Sequence, residues 1–466
     1  MKRILYTLVA AAAVLLGNYF FSNGTFEANV ETPTPISTSP EAPTLIGEPT
    51  IVATEAPAET RDPYGELYFS IVTPKVYYPP ETPPPYVEET SRLARLPGSC
   101  VVGLEECPEA EIVPTPFDMN DVYMFRMIEN EQGLQWSPDG RYGLLVTHPA
   151  DDISPGVPVD KLNEIKNIPL SDLQISPSTI YLFDAQLNTW QVVYRAERKF
   201  FGTPTWSPDG QWIAFQVLSS IWGHPTQADD GIYVIHPDGS NPQQLSASIA
   251  VDTWILGWIG NSILIDQPKN SPRKFDSTFG DIIALLALDG EIKPLFESSR
   301  MASYSLSPDG GALIATDFPK DLSKEYNGAS MQSVNVLALD GSVSHTLGAF
   351  WARSIIWSRD GSLAAFATSR SLYVGKRDWR QEGLPSGMIG IPTDGRVSKV
   401  YSADDSHPES PFWWFRFSSD NKYILLDFYD INFNPEIVTL DTGQSIPLEI
   451  KGMGADDYAS SFSWRP

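Results

Sequence analysis

The sequence predicts an all-β fold built from repeated four-stranded units. A five-residue turn motif recurs along the chain, each copy lies between short alternating apolar segments, and a second Asp-Gly-type turn follows most copies. The motif reads Trp-Ser-Pro-Asp-Gly at Trp136–Gly140 and at Trp206–Gly210. Altered copies begin at Leu306, Trp357 and Phe417, and shortened ones at Trp258 and Ser463.

The spacing of the copies sets the size of the repeating unit. Consecutive marker residues are 70, 52, 48, 51, 60 and 47 positions apart, and a four-stranded sheet with its loops needs roughly 40 to 50 residues. Six full units and a terminal fragment favour seven sheets, with six still possible if the N-terminal strands are too few. Because an unpaired edge strand is a liability, we expect Ser463–Pro466 to close a ring by pairing with N-terminal strands of the domain, Asp121–Ile128 among them.

The motif itself has a structural explanation. Proline presets φ at the second turn position, aspartate suits the third, and glycine takes the left-handed conformation. We therefore expect turn-forming rather than catalytic roles for the repeated residues, which are Trp136, Asp139, Gly140, Trp206, Asp209, Gly210, Asp309, Gly310, Trp357, Asp360 and Gly361. In the fifth unit, Ile391–Gly395 is the segment that we assign to the third strand and its Asp-Gly turn.

These paired turns resemble those of a known family. A Trp-Ser-Pro-Asp-Gly hairpin followed by an Ile-Tyr-Val strand and an Asp-Gly-Ser turn resembles the WD-like repeats of TolB-type β-propellers, and Gly231–Leu245 is the closest copy. The resemblance covers roughly residues 134–466 and implies a disc of radially arranged four-stranded blades. Two units depart from it, since the unit at Trp258 lacks Pro-Asp-Gly and the next has Leu306 in place of tryptophan.

The N-terminal part of the chain has a different composition. Lys2 and Arg3 precede an apolar run, so residues 1–24 are predicted to be a signal peptide or an uncleaved membrane anchor, and the protein is expected to be exported to the cell envelope or beyond. Residues 25–97 are rich in proline and threonine and predict a disordered stalk, except for a strand-like island at Glu66–Thr73. The propeller is then expected over residues 98–466. In an exported chain Cys100 and Cys107 are expected to form a disulfide.

Charge narrows the partner class. The net charge is -26, which argues against nucleic acid as a partner. Cationic and aromatic residues, scarce overall, concentrate in the variable connections, where binding residues of rigid scaffolds usually lie. The candidate binding residues are Arg198, Lys199, Trp222, Arg273, Lys274, Lys320, Arg377, Trp379 and Arg380. They predict one face for a protein or an anionic glycan; the alternative is a set of solvated charges cancelled by neighbouring acids such as Asp229 and Asp230.

Enzyme signatures are weak. The chain has no G-x-S-x-G sequence, the nucleophile elbow that a propeller peptidase would carry in an appended hydrolase domain. No catalytic residue, metal ligand or cofactor is predicted, and Asp404, Asp405, His407 and Glu409 are assigned to solvated surface. The sequence thus favours a monomeric, non-catalytic binding or scaffolding module, with an extracellular glycan or lactone hydrolase as the alternative.

Overall fold

Seventeen stretches of the chain are described in a computed structural model. They are residues 62, 64–77, 86–119, 133–147, 177–197, 199–218, 229–246, 253–268, 281–297, 303–317, 332–350, 354–367, 371–376, 397–402, 412–428, 434–454 and 457–465. The predicted signal or anchor, most of the predicted stalk, Asp121–Ile128 and most of the long connections lie outside these ranges.

The described chain is almost entirely β-structure. Its first elements are β1 (Glu66–Tyr77), β2 (Tyr86–Pro97), the four-residue helix α1 (Gly98–Val101) and β3 (Glu111–Ile112). The first repeat then forms β4 (Gln135–Trp136), β5 (Tyr142–Thr147), β6 (Ser178–Asp184) and β7 (Thr189–Ala196). The second forms β8 (Phe200–Phe201), β9 (Thr205–Trp206), β10 (Ile213–Leu218), β11 (Gly231–Ile235) and β12 (Gln243–Ser246).

The next three repeats follow the same order. The third contains β13 (Trp254–Ile259), β14 (Ser262–Pro268), β15 (Asp281–Ala287) and β16 (Ile292–Glu297). The fourth contains β17 (Ser303–Leu306), β18 (Leu313–Asp317), β19 (Gln332–Leu337) and β20 (Val343–Phe350). The fifth contains β21 (Ser354–Trp357), β22 (Leu363–Ala367), β23 (Ser371–Lys376) and β24 (Val397–Ser402).

The sixth repeat leads to the last strand. It contains β25 (Phe412–Phe417), β26 (Tyr423–Phe428), β27 (Glu436–Thr439) and β28 (Ser445–Pro447), and β29 (Tyr458–Arg465) follows. We number the sheets of the six repeats blades 1 to 6. Six sheets of the described chain have four strands, and the first strand of blade 2 is split into β8 and β9.

Blade 7 joins the two ends of the domain. Its strand order is β29-β1-β2-β3, with Glu66 opposite both Arg465 and Pro97. The predicted boundary at residue 98 therefore differs from the structure, because β1 and β2 belong to the ring. The expected C-terminal closure is present, and the described partner of β29 is β1; Asp121–Ile128 lies outside the described residues.

Alternation along β1 explains why a strand in a proline-rich region is recruited. Leu67, Phe69 and Ile71 are buried and pack against blade 6, whereas Tyr68 points to the other side and packs against blade 1. A strand buried on both faces needs apolar residues at consecutive positions, and Leu67–Val72 supplies them apart from Ser70. The island predicted at Glu66–Thr73 thus has the composition of an interior strand.

The core lies between the blades. Each pair of successive sheets encloses an apolar cluster, and the seventh cluster lies between blades 7 and 1. First strands of adjacent blades contact one another, and Ser463 of β29 donates from Oγ to the Leu134 carbonyl, 2.5 Å away, to complete the circle. The described sheets therefore form a closed β-propeller ring.

Candidate binding face

The antiparallel order of each blade divides its connections between two faces. Connections from the first to the second strand and from the third to the fourth leave one side of the ring, which we call the turn face. Connections from the second to the third strand and between blades leave the other side, which we call the loop face. Any binding surface built from long connections is therefore positioned by strand ends.

The turn face is organised by the repeated motif. In five copies the serine Oγ donates to the aspartate Oδ1 over 2.5 to 2.7 Å. The same aspartate oxygen accepts a backbone N–H two residues further on, as from Gln211 to Asp209 at 3.0 Å. The glycines, such as Gly210 at φ +69°, take the left-handed conformation. These hydrogen bonds hold the carboxylate within the turn, which explains its recurrence without catalysis.

The motif tryptophan has a second role, which sequence reasoning missed. The indole of Trp206 donates to the carbonyl of Gln135 at 2.9 Å, and that of Trp258 donates to Thr205 at 3.3 Å. Trp357 repeats the contact with Ser305 at 3.0 Å. In each pair the acceptor precedes the marker residue of the previous blade. The tryptophan therefore fastens neighbouring blades, and its recurrence at the same position before each turn was the available signal.

Lys199 anchors the loop face between blades 1 and 2. Its side chain is 8% exposed, and Nζ lies 2.6 Å from Asp229 Oδ1 and 3.1 Å from Asp230 Oδ1. Lys199 belongs to the connection entering blade 2, and the two aspartates precede β11. The ion pairs thus join the bases of two loop-face connections.

Two tyrosines surround this anchor. Burial, with the nearby Tyr194 and aspartates, raises the pKa of Tyr233 to about 12. Its hydroxyl donates to the backbone carbonyl of Asp229 at 2.9 Å. Burial and Asp229 also raise the pKa of Tyr194. The neutral tyrosines and the compensated lysine make this cluster a rigid support, so we remove Lys199 from the candidate contact surface.

The other eight candidate binding residues lie outside the described ranges, but the ends of their segments do not. Trp222, Arg273, Lys274 and Lys320 belong to second-to-third-strand connections, and Arg198 to a connection between blades. The four segments that contain these five residues therefore begin and end on the loop face. Asp404, Asp405, His407 and Glu409 also lie outside the described ranges.

Blade 5 departs from the predicted arrangement. Its third strand is Ser371–Lys376, not the segment around Ile391–Gly395. Lys376 pairs with Leu363, directly after the motif turn, and Gly375 pairs with Val397. Lys376, where β23 ends, and Val397, where β24 begins, therefore both lie on the turn face. Segment 377–396, which lies outside the described ranges, connects these two ends. Arg377, Trp379 and Arg380 belong to that segment, so the topology divides the predicted single basic surface between opposite faces.

Two other kinds of feature are absent from the described residues. Within the described ranges, no group of three or more His, Cys, Asp or Glu residues is placed to hold a metal ion. None of the helices in the described part of the chain has the length and apolar character needed to cross a membrane.

Comparison with known proteins finds similar chains among solved structures. No protein-family profile and no curated protein sequence matches the chain. Solved structures do. TolB from Acinetobacter baumannii is 18% identical with a TM-score of 0.39, the match covering 68% of this chain and 62% of that one. The described sheets form a β-propeller, and TolB is one of the solved propellers to which the chain is similar.

Two further similar structures are named as enzymes, and their two activities differ from each other. The periplasmic gluconolactonase PpgL of Pseudomonas aeruginosa is 13% identical over 86% of this chain and 100% of its own, with a TM-score of 0.42. Pyrococcus horikoshii acylaminoacyl peptidase is 13% identical over 83% of this chain and 53% of its own, with a TM-score of 0.45. Since propellers serve many functions, the shared fold leaves the choice between binding and hydrolysis to the residues of the site.

Proposed function

We propose that this TolB-like propeller is an exported, non-catalytic binding module that engages an anionic partner through its loop face. The observation that carries the proposal is the topology: five of the predicted contact residues lie in segments whose ends meet on one side of a closed ring. The opposite face is occupied largely by short, internally hydrogen-bonded turns. Rigid scaffolds with variable connections on one face commonly bind through that face.

The distribution of charge supports an anionic partner. Segment 269–280 contains Lys269, Arg273 and Lys274 against the single acid Asp276. Segment 148–176 instead contains two lysines against five acids. The loop face is thus basic at blade 3 and acidic at blade 1, an asymmetry that orients a charged partner as it approaches.

The charge of the whole chain adds selectivity. A net charge of -26 repels polyanions from most of the surface, so an anionic partner is attracted only where cations cluster. Acidic polysaccharides and acidic protein surfaces both have the required charge. We propose the acidic polysaccharide, because the cations in segment 269–280 are accompanied by Phe275 and Phe279, and aromatic rings with cations are suited to packing on charged sugars.

The test compares two matched double variants of the full chain. Arg273→Ala with Lys274→Ala removes two loop-face charges, and Arg377→Ala with Arg380→Ala removes two from the turn-face segment. Binding to immobilised polyuronate and to a sulfated polysaccharide is measured across a salt series. At about 0.5 to 1 kcal/mol per exposed cation, the loop-face variant should bind about fivefold more weakly or worse and with less salt dependence.

The turn-face variant should bind as the wild type does. Equal losses in the two variants would contradict the loop-face proposal, and absence of binding at low salt would contradict an anionic polysaccharide as partner. Turnover of the polysaccharide or of a lactone by the wild type would favour the alternative, an extracellular hydrolase.

A further inference from the structure

The single disulfide of the chain lies where the ring closes. Residues 98–110, which we call the disulfide segment, connect β2 to β3 on the turn face of blade 7. Within it Cys100 and Cys107 are bonded, with their Cα atoms 4.8 Å apart. Cys100 is 4% exposed and packs in the cluster between blades 6 and 7, whereas Cys107 lies at the margin of that cluster. The disulfide therefore has one buried and one more accessible sulfur.

The disulfide segment also holds blade 6. The backbone N–H of Ala110 donates to the carbonyl of Lys451 at 3.2 Å, and Glu109 and Lys451 form a parallel bridge. The Lys451 ammonium pairs with Glu106. Closer to blade 6, Gly103 approaches Ile446 so tightly that an added Cβ would lie 2.9 Å from Ile446 Cδ1. The segment thus spans the boundary between the last repeat and blade 7.

The same segment supports the strands that close the ring. Ser99 donates to Asp62 from its backbone N–H at 2.9 Å and from its hydroxyl at 2.6 Å. Asp62 also accepts the backbone N–H of Tyr64 at 2.8 Å, and the Tyr64 carbonyl accepts the indole N–H of Trp464 at 2.7 Å. A continuous path of contacts therefore leads from the disulfide segment through the start of β1 to β29.

The contacts of this segment are of unequal strength, since Val101 and Val102 are 2% and 6% exposed within the core cluster whereas its outer contacts are weak. The Glu106 and Lys451 side chains are 84% and 45% exposed, and exposed ion pairs contribute little. Helix α1 has only four residues, too few to persist alone. Restriction of this loop by the disulfide favours the assembled form of these outer contacts.

We propose that the Cys100–Cys107 disulfide is a redox-controlled clasp on the ring closure, whose reduction releases the disulfide segment from blade 6 and loosens the pairing of β29 with β1. The reductant is a dithiol. Its thiolate attacks Sγ of Cys107, the S–S bond breaks, and Cys100 leaves as a thiolate and takes a proton. The second thiol of the reductant attacks the mixed disulfide and releases Cys107. The protein gains two electrons and two protons, and the dithiol becomes a disulfide.

The test is hydrogen exchange on the full chain, oxidised and after treatment with dithiothreitol, read by mass spectrometry. Amides of β1 and β29 should exchange about tenfold faster or more in the reduced protein. Amides of β14 and β15 in blade 3, remote from the clasp, should keep their rates. A Cys100→Ser and Cys107→Ser double variant should exchange at the reduced rate with or without the dithiol.

Two controls make the outcome decisive. Lys451→Met removes the surface ion pair but keeps the disulfide, and should change exchange in β29 by less than about twofold. Unchanged exchange on reduction would overturn the clasp, and so would equal acceleration in every blade, which would mean that the disulfide stabilises the whole ring. If the cysteine variant fails to fold, titration of the wild type with dithiothreitol provides the same comparison.

Discussion

Replacing the motif tryptophans with phenylalanine tests whether the indole N–H fastens one blade to the next. Trp206 and Trp136 occupy equivalent positions in blades 2 and 1. The indole of Trp206 donates to Gln135 at 2.9 Å, whereas Trp136 Nε1 is buried and meets no acceptor among the described residues. Trp206→Phe therefore removes a hydrogen bond between blades, and Trp136→Phe removes only a donor that has no acceptor.

The size of the difference follows from these contacts. Both substitutions remove similar apolar area, and phenylalanine keeps a ring at 136 against Tyr68, whose centroid lies 4.9 Å away. The lost hydrogen bond is worth about 1 kcal/mol net, with a further penalty for the carbonyl it leaves behind. We expect the free energy of unfolding to fall by about 1 to 2 kcal/mol more in Trp206→Phe than in Trp136→Phe.

The assay is urea unfolding of the two variants and the wild type, monitored by circular dichroism. The three curves are fitted with one shared m-value, the dependence of the free energy of unfolding on urea concentration. Trp357→Phe, which loses the bond to Ser305 at 3.0 Å, serves as a second test and should resemble Trp206→Phe. Equal destabilisation of Trp206→Phe and Trp136→Phe, or a larger loss at 136, would refute the fastening role.

Three other changes have defined outcomes. The hydrogen bond from Ser207 lowers the pKa of Asp209 below its ordinary value of 3.8. The ionised Asp209 therefore stabilises the fold fully above pH 3.8, and this stabilisation is lost as the pH falls through the lower pKa of the folded state. Asp209→Asn should therefore flatten the acid loss of stability in urea midpoints measured between pH 2 and 6; an unchanged slope would contradict this. Lys199→Met removes the cation from Asp230, whose side chain is 5% exposed, and should lower the free energy of unfolding by about 3 to 5 kcal/mol. Adding Asp230→Asn should restore most of that loss. A loss that persists in the double variant would show that packing by Lys199 dominates. Arg359 Nη2 donates to the Pro138 carbonyl at 2.6 Å, joining blade 5 to blade 1, but Arg359 is exposed. Arg359→Ala, which keeps the backbone N–H that donates to Asn421, should therefore shift thermal unfolding by the equivalent of less than about 1 kcal/mol; a larger shift would mean that the side chain helps to hold the ring.

Local chemistry explains which parts of the fold could be predicted. The turns at Asp139, Asp209 and Asp360 depend only on residues within five positions, so their repetition revealed the blades and their order. Recruitment of β1 depends on a partner strand that begins at Tyr458, and proline-rich flanks concealed it. The consecutive apolar residues Leu67, Tyr68 and Phe69 were visible, but nothing nearby in sequence indicated that both faces of the strand would be covered by neighbouring blades.

The candidate surface was harder to predict because its assignment depends on which strand precedes each loop. A third strand placed at Ile391 instead of Ser371 moves Arg377 and Arg380 to the wrong face. Such an error assigns the whole connection to the opposite face, since a connection leaves either one end of a strand or the other. For Lys199 the limit was different. The sequence offered Asp229 and Asp230 only as nearby acids that could cancel the charge, and their direct pairing with a buried Lys199 depends on the packing of two blades.

The composition of blade 7 has a consequence for biosynthesis. Glu66 and Arg465, which pair in that sheet, are 399 positions apart. At translation rates of roughly 5 to 20 residues per second, β1 waits about 20 to 80 s for its partner. Throughout that time a strand with Leu67, Phe69 and Ile71 on one side has an open edge, the condition in which chains aggregate or pair with copies of themselves. Production of this protein therefore depends on protecting its earliest strand until its last one emerges from the ribosome.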